Sequence, residues 1–277
     1  MTLALSVILP ASNEEAWIGA CLDSLLASDP VEGGAEVIVV ANACRDATVA
    51  AALARKALAE ANGWHFQVLD LAEGGKLNAL NQGDALAPGA VRVYLDADVT
   101  VSAGLMAALV KALSADQALY GSGRPKVANG ASRVTRAYAR FWSGLPFAQS
   151  VAPGFGLFAV NQKGRARWGA FPKIISDDTY VRLLFTPEER REVPHSYTWP
   201  MVEGFKALVK VRRRQDTGVA ELQALHPEIF ANEGKSPLGA KGILKRAARH
   251  PLGFVTYAAV SLAVRARRAE ADWTRGR

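Results

Sequence analysis

Four short apolar runs, each stopped by a polar turn, recur along the N-terminal part of the chain and limit the folds open to it. Ser6-Val7-Ile8-Leu9, Glu36-Val37-Ile38-Val39-Val40, Phe66-Gln67-Val68-Leu69 and Val91-Arg92-Val93-Tyr94-Leu95 follow one another. They start about thirty residues apart, the spacing of βαβ units. Near-continuous apolar runs suit strands buried on both faces. Between them, Trp17, Ile18, Cys21, Leu22 and Leu25 recur at helical spacing, an alanine-rich segment begins near Asp46, and residues 76–85 follow Gly74-Gly75. The pattern predicts a parallel sheet with right-handed crossovers. Pro10 reads as the end of the first strand, Ser12 or Asn13 as the cap of the helix after it, and Glu14 and Glu15 as its first turn.

Ligands of such sheets bind beyond the carboxyl ends of the strands. Three polar turns fall on that rim: residues 10–14, 42–46 and 96–98. Asp96-Ala97-Asp98 is the most telling of them. An ionised carboxylate is costly to desolvate unless it is paired or coordinates a cation. Mg²⁺ typically takes one or two carboxylates plus substrate phosphates. The pair therefore reads as a site for a metal-bound phosphorylated ligand, against the alternative of a solvated turn. Gly154-Phe155-Gly156 and Gly121-Ser122-Gly123 lack the third glycine of a dinucleotide fingerprint, and no P-loop pattern occurs. Nicotinamide enzymes and P-loop NTPases are excluded.

The 277 residues suit one large domain, or one domain with an appendage. Thirty-three Lys and Arg against 26 Asp and Glu give a net charge of +7, which favours anionic partners. The charge is uneven: residues 1–100 lean acidic, while basic residues crowd positions 206–214, 241–249 and 265–268. That asymmetry argues against a uniformly basic nucleic-acid binder and for a core with a basic tail. Cys21 and Cys44 are too few for a disulfide framework. The first residues run into a strand without a basic region or cleavage site, so a cytoplasmic location is expected. Further on, residues 154–160 read as a strand and 168–175 as a loop. Asp177-Asp178-Thr179 caps a helix bearing Tyr180, Val181, Leu183 and Leu184, and Pro194 closes another short strand.

With these pieces in order, the chain resembles the family-2 glycosyltransferases. The resemblance rests on residues 7–14 (VILPASNE), 39–48 (VVANACRDAT), 75–83 (GKLNALNQG), Asp96-Ala97-Asp98 and Asp177-Asp178, and runs from about residue 5 to 218. It implies the GT-A fold, a Rossmann-like three-layer αβα arrangement around a mostly parallel sheet, followed by a basic helical C-terminal tail. Residues 1–220 would form the catalytic domain, with a nucleotide-sugar-binding half (1–100) and an acceptor-binding half (101–220), and 221–277 the extension.

The resemblance implies inverting, non-processive transfer of a sugar from a nucleotide-diphosphate donor to a hydroxyl-bearing glycan or lipid-linked acceptor, with Mn²⁺ or Mg²⁺. Asp98 would ligate the metal, with Asp96 at the ribose or the metal's water shell. Pro10, Ser12, Asn13, Glu14 and Ala97 would line the nucleotide sugar. Ala41-Asn42 stands where relatives carry an Asp-Asp turn at the base; an amide both donates and accepts, so uracil is not fixed. Asp46 reads as a helix cap. Lys76, at a helix start after two glycines, suits a diphosphate or base edge, or solvent. Asp178 would be the general base and Asp177 an acceptor contact, with Gly154 also on the acceptor side; simple helix capping is the alternative for the acidic pair. Asp216 stands where processive relatives carry tryptophan, which disfavours a polymer synthase, and Arg213 or Arg214 would reach the diphosphate or face solvent.

Residues 252–264 are thirteen without a charge, too short to span a bilayer. Basic flanks suit an anionic membrane surface on the inner face of the cell membrane; packing on the core suits the segment equally. Two other readings share the fold: a sugar-nucleotide nucleotidyltransferase, which would carry a glycine-rich basic loop after the first strand, and a non-catalytic membrane or nucleic-acid adaptor.

Overall fold

A computed structural model describes residues 3–234 and 238–266. The N-terminal half alternates as expected: β1 (Leu5–Ala11), α1 (Ile18–Leu26), β2 (Ala35–Asn42), α2 (Thr48–Leu53), α3 (Lys56–Ala61), β3 (Trp64–Leu71), α4 (Lys76–Leu86) and β4 (Val91–Leu95). There follow β5 (Thr100–Val101), α5 (Leu105–Leu113), β6 (Tyr120–Val127), α6 (Arg133–Trp142), β7 (Leu157–Asn161), α7 (Gln162–Arg165), α8 (Asp177–Leu183), β8 (Arg190–Trp199), α9 (Gly204–Leu225), α10 (Gly239–Arg249) and α11 (Pro251–Ala266). One eight-stranded sheet orders its strands β3-β2-β1-β4-β7-β6-β8-β5. The first four are parallel. Beyond them the sheet is mixed: β7 runs antiparallel to β4 and β6, β6 pairs β8 in parallel, and β5 opposes β8.

The unbroken apolar runs serve two faces at once. Val37 and Val39 of β2 join Leu22 and Leu25 of α1 and Leu109 of α5 in one core, while Ile38 and Val40 join Leu80 of α4 and Val181 of α8 in the other. Burying each such side chain stabilises the fold by about 1.5–3 kcal/mol, which is why the runs are continuous rather than alternating. Helix α4 lies close on the sheet because Gly83 has no side chain; a Cβ there would stand 2.6 Å from Ile8 Cγ2.

Two prolines do not end their strands. Pro10 lies inside β1, whose ladder with β4 stops at Ile8 while its ladder with β2 continues to Ala11. Pro194 lies inside β8, where the pairing with β6 shifts register between Ser122 and Arg124, and an irregular ladder tolerates a residue without an N–H. Helix α1 also begins later than expected, at Ile18. Asn13 adopts a left-handed backbone (φ 57°) and its Oδ1 accepts the Arg45 N–H, while the Glu14 and Glu15 N–H groups donate to Thr48 Oγ1 and Asp46 Oδ2. The groups expected to cap α1 instead tie the turns after β1 and β2 together. Asp46 also accepts the Thr48 N–H at the start of α2, as a cap would.

At the C-terminal end, α11 packs on α6 and α9. Phe254 and Tyr257 face Phe141 at centroid distances of 5.6 and 5.1 Å, and Tyr257 lies 5.4 Å from Tyr138. No helix among the described residues is long and apolar enough to cross a membrane. Arg267 and Arg268 of the basic flank lie outside the described residues.

Candidate active site

The carboxyl ends of β1 and β4, the first turns of α4 and α8, the end of β8 and one face of α9 enclose a cavity of about 420 Å³. Pro10, Ser12, Asn13, Glu14, Lys76, Asp96, Ala97, Asp98, Asp177 and Asp178 all line it. Residues up to 168 positions apart thus meet on one rim, because parallel strands end on the same edge and each hands its next residues to that edge.

Lys76 is the hub. Its Nζ stands 3.0 Å from Asp96 Oδ1 and 3.1 Å from Asp177 Oδ2, joining α4, the end of β4 and α8. Burial alone would push this ammonium down, but Asp177, Asp96 and Asp178 overcome it and hold Lys76 above the ordinary lysine range. The cavity carries five carboxylates (Glu14, Asp96, Asp98, Asp177 and Asp178) against two cations, Lys76 and Arg214. An acidic cavity of this kind repels a polyphosphate unless a further cation lies between them.

Asp178 sits at the start of α8, where its Oδ1 accepts the Thr179 N–H at 2.6 Å and the Thr179 hydroxyl at 3.3 Å. Among the described residues no hydrogen bond reaches its Oδ2. Burial, and then the charge of Asp177, push its carboxyl up to about 6, against the pull of Lys76. The group is ionised at neutral pH yet basic enough to take a proton, which is the poise a general base needs.

Asn42 and Gly154 are not brought to this cavity. Asn42 is 1% exposed; its Nδ2 donates to the Ala11 carbonyl at 2.8 Å and its Oδ1 accepts the Gly75 N–H at 3.0 Å. The amide thereby clamps the end of β1 to the turn that presents Lys76. Gly154 has φ 78° and packs under Tyr120, whose hydroxyl would lie 1.7 Å from an added Cβ. His195 lies against Gly104 before α5 and lines neither this cavity nor the one beside it. Sequence reasoning missed Phe155, Gly156, Ile175, Ser176, Trp199 and Gln215, which with Pro200, Val202 and Val211 complete the wall. Of the two arginines left open, Arg214 lines the cavity, while Arg213 donates to the Ala263 carbonyl of α11 at 3.4 Å. The one available signal was the helical register of residues 204–225, which sets Val211, Arg214 and Gln215 on one face.

The carboxyl ends of a parallel half-sheet thus carry a carboxylate-rich cavity. Residues 6–164 match the profile of glycosyl transferase family 2, so the chain belongs to that family and is a nucleotide-sugar glycosyltransferase. Membership sets aside the nucleotidyltransferase and adaptor readings. No curated protein matches the chain. Among solved structures, the mannosyltransferase PcManGT from Pyrobaculum calidifontis, in complex with GDP-Man and Mn²⁺, is 23% identical. That match covers 98% of this chain and 77% of PcManGT, with a TM-score of 0.58. S. aureus TarS 1-349, in complex with UDP, is 16% identical over 99% of this chain and 95% of its own, with a TM-score of 0.53. At these identities the likeness is one of fold, and the fold is GT-A-like.

Proposed function

We propose that the chain transfers a sugar from a nucleotide diphosphate to an acceptor hydroxyl in a single displacement with inversion, non-processively. The observation that carries this reading is the Lys76 bridge, which sets the acidic turn after β4 and the acidic start of α8 on one cavity. The donor's diphosphate would lie toward Asp96, Asp98, Lys76 and Arg214, with its sugar toward Asp178. The acceptor oxygen attacks the anomeric carbon as its proton passes to an Asp178 oxygen. The bond from that carbon to the diphosphate breaks, and the diphosphate leaves with the electron pair.

A divalent cation fits the donor set. Among the described residues no group of three or more His, Cys, Asp or Glu side chains forms a metal site on its own. Asp98 and Asp96 would supply two ligands and the diphosphate the rest, as Mg²⁺ or Mn²⁺ accepts. Bound there, the cation would offset the charge of the leaving diphosphate. PcManGT holds Mn²⁺ with its GDP-Man, which supports a metal here. Asp216 at the position of the processive signature's tryptophan supports a non-processive enzyme.

The test is a panel of UDP-, GDP- and dTDP-sugars, each with and without Mn²⁺, read as thermal stabilisation. A ligand that binds only the native state raises apparent stability. One nucleotide class that stabilises the protein more with Mn²⁺ is expected; no stabilisation by any donor would overturn the reading.

A further inference from the structure

A second cavity, of about 440 Å³, adjoins the first and shares Phe155, Ser176, Asp178, Trp199 and Gln215 with it. It reaches Asp178 without touching Lys76, Asp96, Asp98 or Asp177. Its chemistry is the reverse of the first. Trp142, Phe147, Phe155, Trp199, Phe230 and Tyr257 surround it, with Leu145, Ala148 and Val219 filling between them. Trp142 and Trp199 stack at 5.9 Å, and Phe155 meets Trp142, Phe147 and Trp199 at 5.3, 5.9 and 5.2 Å.

The charged groups on this wall are matched within the protein. Arg212 Nε donates to Asp216 at 2.7 Å and its Nη1 to the Tyr257 hydroxyl at 2.9 Å, and Glu233 accepts from buried Arg182 at 3.1 Å. Asp178 differs: its Oδ1 accepts from Thr179, and among the described residues no ion pair joins it to a cation of this wall. We propose that this cavity is the acceptor site and takes an amphiphilic alcohol, a hydroxyl-bearing head at Asp178 joined to an apolar body held among the aromatic rings. The inference rests on the proposed transfer reaction and names its acceptor class.

Polar satisfaction favours that class over a free glycan. A buried hydroxyl left without a partner is costly, and a sugar carries several. The wall's neutral hydrogen-bonding side chains are Ser176, Thr179 and Gln215 and the indole N–H groups of Trp142 and Trp199, the Tyr257 hydroxyl being taken by Arg212. An apolar body needs none. The supply side agrees: Tyr257 is a residue of α11, and that helix turns Leu252, Val255 and Leu262 outward at 77, 63 and 65% exposure. Leu244 of α10 is 72% exposed, and Lys241, Lys245 and Arg249 of α10 and Arg265 of α11 are exposed as well. Helix α11 therefore walls the aromatic cavity and, together with α10, presents an apolar, cationic surface from which an amphiphile can enter.

The test uses the full chain with whichever donor stabilises it, and octyl β-glucoside or maltose as acceptor. Transfer to the octyl glucoside at least tenfold more efficient in kcat/KM than to maltose is expected. Val219 is 42% exposed, so Val219→Glu adds charge to the wall without disturbing the core; Phe147→Ala enlarges it. Both should lower kcat/KM for the glucoside at least tenfold, chiefly through KM, while the donor-induced thermal shift stays at the wild-type value. Equal or better transfer to maltose, or a glucoside KM untouched in both variants, would overturn the acceptor class while leaving the transfer reaction standing. Absence of any donor-induced shift would overturn both together. A long-chain glucoside in anionic vesicles distinguishes the source: transfer at least as fast as to dispersed monomer marks a bilayer-borne amphiphile, and slower transfer a soluble one, either result supporting the class.

Discussion

The two cavities that meet at Asp178 are built on opposite principles. The first is a rim of carboxylates at the ends of parallel strands, held by the one lysine that bridges two of them. The second is a basket of aromatic rings gathered from helices, loops and the end of β8, with its charges other than Asp178 paired inside the protein. The contrast teaches where charge is needed. A diphosphate and its counter-cation call for fixed ionic partners, whereas an acceptor needs one proton removed and its remaining surface sheltered. Asp178 is common to both, as the proposed reaction requires of a base that touches the acceptor's hydroxyl beside the donor's anomeric carbon.

The comparison breaks most visibly at that shared residue. Asp178→Asn should lower turnover by about 10²–10⁴, the usual worth of a positioned base, while the donor-induced thermal shift stays intact. Loss of donor stabilisation with wild-type turnover would remove the base from its role. The pH dependence follows from a carboxyl pushed up to about 6. Turnover should fall roughly tenfold per unit as pH drops below that value and the base is protonated. Stability moves the other way. Between the usual carboxylate range and about 6 the folded protein holds a proton that the unfolded chain has released, so stability declines as pH rises through this window. Asp178→Asn removes the ionised group, so its thermal midpoint should exceed that of the wild type above pH 6, the difference closing toward pH 4. Scanning calorimetry at the two pH values checks the sign.

Asp98→Asn tests the donor side alone. A ligand at 100 times its dissociation constant stabilises by about 2.7 kcal/mol, and each kcal/mol moves the midpoint of a chain this size by roughly 2–4 °C. The variant should lose the Mn²⁺-dependent part of that shift, as should the wild type in EDTA, while intrinsic stability in the absence of donor stays within about 1 kcal/mol. Retention of the full Mn²⁺ effect would move the metal elsewhere.

How far each cavity was legible in the sequence follows from the same contrast. Part of the first sits within a few positions of a strand end, so local pattern and strand spacing place Asp96, Asp98, Lys76 and the turn after β1 together, whereas Arg214 comes from α9. The second draws Trp142 from α6, Trp199 from β8, Phe230 from the turn after α9 and Tyr257 from α11. An aromatic residue at helical spacing reads as core whether it faces packing or a cavity, so nothing local separates the two uses. The C-terminal helices show the same ambiguity. Packing on the core and lying on an anionic membrane surface suit residues 252–264 equally as a sequence; α11 packs against Phe141 and turns leucines outward on its other side, so one apolar run carries both patterns. Asn42 escaped for another reason: an amide donates and accepts for backbone as readily as for a base, and here the backbone takes both ends.

Smaller effects sharpen the comparison. Asn42→Ala should cost about 1–3 kcal/mol, because the Ala11 carbonyl and the Gly75 N–H lose a buried partner. Its consequence for activity should appear in donor KM, through the turn that presents Lys76, with acceptor KM unchanged. Glucoside KM rising instead would separate the clamp from the donor side. The smallest effect on the fold is expected at the outer face of α11. Deleting the helix would strip Phe141 and one wall of the second cavity, confusing attachment with stability. Leu252→Glu and Leu262→Glu alter only exposed positions, where substitutions usually change stability by less than about 0.5 kcal/mol. If this face rests on an anionic bilayer, each added carboxylate removes apolar contact and opposes the surface potential at once. Co-sedimentation with anionic vesicles should then fall several-fold at an unchanged thermal midpoint. Undiminished co-sedimentation would reduce the outward leucines to a solvent-facing consequence of how α11 closes the aromatic cavity.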